Sequence, residues 1–247
     1  MLSSRDIAKK WETIARGKAE LPVSKCLLMG MLAGMYIAFG ALGFTAAQAY
    51  IGGGAGKLAG ASVFPAGLML VVMAGGELFT GNCLMAGPAV NGKVPWKGVL
   101  RNWFFVYLGN MLGALLLALI GHFSGLYGEQ MAAASGAIAA GKCSQPFLQA
   151  LLRGVGCNVL VCGAVWMASG ADSAGSKAVC CFFPVMLFVF CGLEHSVANM
   201  FYIPMGMLTP GGVSISDYLL KNLLPVTLGN ILGVAGLAAV YAKVYKA

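Results

Sequence analysis

The chain has 247 residues, of which 59% are hydrophobic and only 10% charged, with a mean hydropathy of +0.83. A soluble domain carries roughly 25% charged residues, so a water-soluble globule is excluded. The net charge of +8 does not call for a nucleic-acid partner, because basic residues also collect where a chain meets lipid headgroups. In chain order, the first predicted element is an amphipathic helix over Ser4–Glu20. It has Ile7, Trp11 and Ile14 on one face and Lys9, Lys10, Arg16 and Lys18 elsewhere. Ser4 is the expected cap and Pro22 follows its end. Such a helix is expected to lie on the membrane surface, as an anchor or as a gate over a mouth. Six apolar stretches follow, each close to the 20 or so residues that a spanning helix needs. They cover about 26–48, 58–80, 102–122, 147–169, 178–207 and 222–243, and the fifth is long for one span. All six are rich in Gly and Ala, which lets helix backbones approach closely in lipid.

The second half echoes the first. Asn102-Trp-Phe-Phe-Val106-Tyr-Leu108-Gly109-Asn110-Met-Leu112-Gly113 aligns with Asn222-Leu-Leu-Pro-Val226-Thr-Leu228-Gly229-Asn230-Ile-Leu232-Gly233 at an offset of 120 (222 − 102). Glu77-Leu78-Phe79-Thr80-Gly81-Asn82 aligns with Glu194-His195-Ser196-Val197-Ala198-Asn199 at an offset of 117 (194 − 77). Leu27-Leu28-Met29-Gly30 pairs more faintly with Leu151-Leu152-Arg153-Gly154. Three spans per half is an odd number, so the second half enters the membrane from the opposite side, giving an inverted repeat of the kind found in channels and secondary transporters. The expected organisation is a single membrane domain over 1–247. Residues 1–24 form the amphipathic segment, 25–125 the first repeat and 145–243 the second.

Lysines and arginines set the orientation. With the N-terminus inside, the cytoplasmic segments hold Arg5, Lys9, Lys10, Arg16, Lys18, Lys25, Lys93, Lys97, Arg101, Lys177, Lys243 and Lys246. The outer segments hold Lys57, Lys142 and Lys221, with Arg153 near a helix end left uncounted. Both termini are therefore expected in the cytoplasm, and the location is a cell inner (plasma) membrane. The eight cysteines form no CxxC pair and no Cys/His cluster. They read as buried apolar thiols, and neither metal nor cofactor is expected.

Polar groups at membrane depth are costly and tend to be functional. Here they gather in the echoed motifs: Glu77, Thr80 and Asn82 at the end of span two, and Glu194, His195, Ser196 and Asn199 within span five. Gly75-Gly76 and Gly192 precede them, and Pro65, Pro184 and Pro204 lie nearby, a pattern that predicts broken helices facing a cavity. His195 is the only histidine at that depth, and its ordinary pKa near 6.5 puts proton exchange in the physiological range. Glu77 and Glu194 are expected to be structural, accepting backbone N–H bonds of the broken helices, as is Asn199 beside them. Asn110 and Asn230 recur at one site in both halves, for which helix packing and a functional role weigh equally. Lys142, on the approach to span four, reads either as a solvated loop residue or as a cation that concentrates anions at an outer vestibule.

At these motifs the chain resembles the formate/nitrite transporter family, which also includes hydrosulfide channels. The resemblance runs from about residue 25 to 243 and is most specific at Gly76–Gly81, at Asn102–Asn110, at Glu194–Phe201 with Ile203-Pro204-Met205-Gly206, and at Asn222–Gly233. It implies an all-α integral membrane fold of six transmembrane helices, with helices two and five broken. It also implies an aquaporin-like protomer in a homopentamer, with one pore each. By motif position His195, Thr80 and Asn230 correspond to the polar pore centre and Lys142 to the vestibule lysine. Phe64, Leu68, Leu78, Phe79 and Phe188 fall at or beside the apolar constrictions. The expected function is passage of small monovalent anions of weak acids, formate first, with hydrosulfide and nitrite as alternatives, and no enzymatic activity. A neutral-solute pore for water or glycerol is the alternative outside this class.

Overall fold

The structure is a computed structural model, and it describes residues 1–209 and 212–245. Lys246, counted above among the basic residues, lies outside the described residues. All regular structure among the described residues is helical. Helix α1 (Ser4–Glu20) is capped by Ser3, one residue before the expected Ser4, whose hydroxyl accepts the Asp6 N–H at 3.2 Å. Asp6 in the first turn and Lys18 in the last complement the helix dipole. Its apolar face, Ile7, Trp11 and Ala15, is covered by the rest of the chain and does not lie in lipid. Trp11 Nε1 donates to Ser169 Oγ at 3.1 Å, and Lys10 Nζ to the Ser169 carbonyl at 2.8 Å. The helix is thus strapped across one end of the molecule.

Helix α2 (Val23–Tyr50) is followed by a broken segment: α3 (Gly53–Val63), α4 (Ala66–Leu70) and a π-helical turn, Val71–Gly75. The chain then runs extended before α5 (Phe79–Asn82), a 3₁₀ turn and α6 (Ala86–Val90). Helix α7 (Trp96–Phe123) completes the first half. The second half repeats the plan with α8 (Glu129–Cys143), α9 (Phe147–Ser169), α10 (Ala174–Cys191), α11 (Ser196–Met207) and α12 (Leu224–Val244), the last preceded by a π-helical turn. Six segments are long and apolar enough to cross a membrane: Val23–Tyr50, Gly53–Gly75, Trp96–Phe123, Phe147–Ser169, Ala174–Cys191 and Asp217–Ala238. They coincide with the six apolar stretches, the fifth of which resolves into α10 and α11. The chain is a multi-pass membrane protein.

One close crossing holds each half together. Where α2 meets α7, a Cβ on Gly113 would sit 2.0 Å from the Met31 carbonyl oxygen. Where α9 meets α12, one on Gly229 would sit 2.1 Å from that of Leu151. The backbones touch, which only a residue without a side chain permits. Both helix breaks fall at glycines and not at prolines. Gly75 (φ +91°) and Gly192 (φ +73°) take left-handed conformations that L side chains rarely adopt. Pro184 and Pro204 sit inside continuous helices, and Pro65 turns the chain helically between α3 and α4.

Candidate functional site

The residue just before each inner half-helix is extended: Leu78 (φ −104°, ψ 120°) in the first half and His195 (φ −111°, ψ 112°) in the second. These two positions correspond in the repeat. An extended stretch inside an apolar run leaves backbone groups without helical partners, and lipid cannot satisfy them. One asparagine does so in each half. Asn110 Oδ1 accepts the Phe79 N–H at 2.9 Å, while its Nδ2 donates to the Glu77 and Gly30 carbonyls, each at 2.8 Å. Asn230 Oδ1 accepts the Ser196 N–H at 2.9 Å, and its Nδ2 donates to the carbonyls of Glu194 at 3.0 Å and Gly154 at 2.8 Å. The amide of Asn230 is spent on backbone, so it pins the break rather than facing His195.

The role expected of the glutamates, accepting backbone N–H bonds, therefore belongs to the asparagines. The carboxylates instead anchor side-chain clusters. Glu77 pairs with Lys18 of α1 and accepts from Asn82 Nδ2 at 2.7 Å; Asn82 also donates to Asn102 Oδ1 at 2.9 Å, and Asn102 to the Lys18 carbonyl at 3.0 Å. In the other half Glu194 pairs with Lys142 at 3.0 Å and accepts from Asn199 Nδ2 at 2.7 Å. Asn199 in turn donates to Asn222 Oδ1 at 2.7 Å, and Asn222 to the Lys142 carbonyl at 3.0 Å. These four bonds recur in both clusters, and in the second Gln145 Nε2 also donates to Glu194, at 3.0 Å. Lys142 closes the last turn of α8 and is mostly buried; it is not a loop residue. Lys18, Asn102 and Asn222 were not singled out from the sequence. The recurrence of Asn102 and Asn222 at the head of the longest echo was the available signal.

Three cavities lie in series between the clusters. The one on the α8 side, about 110 Å³, is bordered by Lys57, Lys142, Glu194 and Tyr202 and ends on Phe64, Phe188 and His195. Those three also line the central cavity, a narrows of only about 10 Å³, together with Ile37, Leu68, Leu78, Val161 and Val185. Leu78 in turn borders the widest of the three, about 330 Å³, under α1, with Lys10, Lys18 and Lys177 at its rim. Phe64 meets Phe188 edge to face, and the His195 ring stacks on Phe188. Phe79 is turned away: it packs on Tyr107 and Trp103 between α5 and α7 and forms no part of the narrow wall.

His195 is the one polar residue lining the central cavity. Its Nδ1 accepts the Ala198 N–H at 3.1 Å, capping α11, which places the proton of a neutral ring on Nε2. Nε2 lies 2.9 Å from Thr80 Oγ1, so the ring donates to the threonine and leaves the hydroxyl hydrogen uncommitted. Thr80 is held by its carbonyl, which accepts from Asn158 Nδ2 at 3.2 Å. The arrangement presents one polar edge, the His195 ring backed by Thr80, at an apolar narrows, suited to a small anion or its neutral acid.

The chain is 42% identical over 253 residues to a protein of Methanothermobacter thermautotrophicus named a probable formate transporter, covering 94% of this chain and 92% of that one. It is 35% identical over 260 residues to formate channel FocA of Haemophilus influenzae, with 94% and 90% covered. A solved structure described as a pentameric formate channel with formate bound superposes with a TM-score of 0.80 at 33% identity, covering 89% of this chain and 95% of that one. The family model described as Formate/nitrite transporter matches residues 5–244, and with these relatives it shows that the chain belongs to the formate/nitrite transporter family.

Proposed function

We propose that the protein is a channel for small monovalent anions of weak acids, with formate as its substrate, working as a homopentamer with one path per protomer. The termini face the cytoplasm of a cell whose inner membrane the protein spans, as the excess of lysine and arginine on that side supports. The observation that carries the reading is the series of cavities meeting at one polar point, the His195–Thr80 pair, inside a ring of apolar side chains. The names of the relatives favour formate over nitrite and hydrosulfide.

Moving a bare carboxylate-sized ion into a medium of low dielectric has an idealised cost on the order of 20 kcal/mol, and still several after relaxation. The ring of Phe64, Leu68, Leu78 and Phe188 therefore opposes an anion and admits its neutral acid. The anion arrives at the narrows, where Thr80 Oγ1–H and His195 Nε2–H donate to it. There it takes up one proton that comes from water on the entry side and is shared with the His195 ring, passes as the acid, and returns the proton to water in the next cavity. Charge is conserved, and one proton accompanies each anion.

The test is flux of formate, nitrite and hydrosulfide into proteoliposomes at two outside pH values. Formate influx that rises as the entry side becomes more acidic is the expected result. Fast water or glycerol swelling without anion flux overturns it. His195→Asn keeps a donor and cannot carry a proton. Unchanged rate and pH dependence in that variant would remove His195 from proton handling.

A further inference from the structure

The lysines at the two mouths are of different kinds. Lys18 and Lys142 are ion-paired to Glu77 and Glu194, so each cluster is close to neutral and offers an approaching anion little net attraction. Lys57 and Lys177 have no carboxylate within ion-pair distance among the described residues. They hold related places: Lys57 is in the second turn of α3 and Lys177 in the first turn of α10, at an offset of 120 (177 − 57), the same as that of the longest echo. Each borders the wide cavity on its own side of the membrane, Lys57 with α8 and Lys177 with α1. Lys57 Nζ rests 5.7 Å from the centre of the Phe190 ring, a contact that positions the ammonium without neutralising it.

The cavity of Lys57 holds a second unused group. Tyr202 is buried, with Phe44 at its edge and Lys142 Nζ over its ring at 5.1 Å. Its hydroxyl makes no hydrogen bond to any described residue, and the residue borders the cavity. A phenol left free at the edge of a cavity that Lys57 also borders is a donor in want of an acceptor.

We infer that Lys57 and the Tyr202 hydroxyl form a staging site for a monovalent anion on the α8 side, and that Lys177 supplies the matching attraction on the α1 side. The inference rests on the permeation reading above. It assigns the recruiting charge to Lys57, leaving Lys142 as the clamp that keeps Glu194 in place. Lys57 acts over distance, which raises the local anion concentration, while Tyr202 acts by contact.

Radiolabelled formate separates the two sides. Uptake by intact cells lacking their own formate channel reads entry from the α8 side, and uptake by inverted vesicles from the same cells reads entry from the α1 side. In K57Q the half-saturating formate concentration from the α8 side is expected to rise about fivefold at low ionic strength, at an unchanged maximal rate. The difference should close in about 1 M salt, where the screening length falls to about 3 Å. Entry from the α1 side should be unaffected, and K57R should restore the wild-type value. K177Q should give the mirror result in smaller measure, because Lys10 also stands at that rim without a carboxylate. Y202F should raise the half-saturating concentration from the α8 side with its salt dependence intact. An equal effect of K57Q from both sides, or none from either, overturns the inference while wild-type flux still supports the permeation reading. Wild-type protein that carries no formate overturns both.

Discussion

A buried ion pair is a poor source of net stability, yet removing one partner is costly, because the other charge is left in a medium that solvates it badly. The side chains of Glu77 and Glu194 are 6% and 4% exposed, and each faces one lysine. Lys142→Met therefore strands the Glu194 carboxylate and is expected to destabilise the protein by about 3–5 kcal/mol. Thermal unfolding in detergent measures the loss, and the double variant Lys142→Met/Glu194→Gln should regain a large part of it. A double variant no better than the single one would refute the clamp. The glutamates were legible in the sequence because a carboxylate in an apolar run stands out. Their lysines were not: Lys18 lies 59 residues from Glu77, and only the placement of α1 brings them together. Composition reads Lys18 as one more basic residue on a surface helix, whereas its ammonium is committed to the fold.

At the scale of the element, the difficulty is a helix that must break inside a membrane without exposing its backbone. Asn110 and Asn230 meet it by placing one acceptor and two donors across each gap. Asn230→Leu leaves the Ser196 N–H and the Glu194 carbonyl without that partner and removes the tie to the Gly154 carbonyl of α9. Each unsatisfied group costs about 1–3 kcal/mol. The variant is expected to lose more stability than any single hydrogen-bond deletion at the protein surface, seen as a large fall in melting temperature and in the yield of folded protein. A melting temperature within a degree or two of wild type would show the gap is satisfied otherwise. Gly192→Ala is a milder case, with a left-handed φ of +73° but open space around a new Cβ. About 1–2 kcal/mol of strain is expected there, again by thermal unfolding. Span positions and the existence of two breaks could be read from hydropathy and from the Gly-flanked polar residues. The cause of the breaks could not: proline is the stronger sequence signal, but a proline in a helix costs one hydrogen bond and kinks the axis, while a left-handed glycine turns the chain out of the helix altogether. Helix α8 escaped notice because its Ala- and Gly-rich sequence is neither apolar enough for a span nor amphipathic enough for a surface helix.

For the whole molecule, the inverted repeat is deeper than the local echoes imply. The offset between Lys18 and Lys142 is 124 (142 − 18), that between Gly30 and Gly154 is 124 (154 − 30), and the later echoes run at 117 and 120. Helix α1 is therefore the counterpart of α8, and the correspondence reaches beyond 25–125 and 145–243 to take in the helix before each. Sequence comparison of the two halves loses this because lysine, glutamate and asparagine are the only members of each cluster held in common, and the helices around them differ in composition. Each half also depends on one backbone-to-backbone crossing, which couples packing to the path. Asn110 stands on α7 three residues from Gly113 and reaches the Gly30 carbonyl of α2, so the spacing of α2 and α7 sets the reach of the amide that pins the first break. Gly113→Ala would place a Cβ 2.0 Å from the Met31 oxygen, where real contacts lie beyond 3.0 Å, and the helices must part. Parting them lengthens the Asn110 bonds to Gly30 and, through the break, shifts Thr80 relative to His195. Gly113→Ala is therefore expected to lower both melting temperature and formate flux. Gly163→Ala, in α9 with open space at its Cβ, should change neither. A Gly113→Ala protein that melts early but carries formate at the wild-type rate would show that the crossing holds the fold without setting the geometry of the narrows.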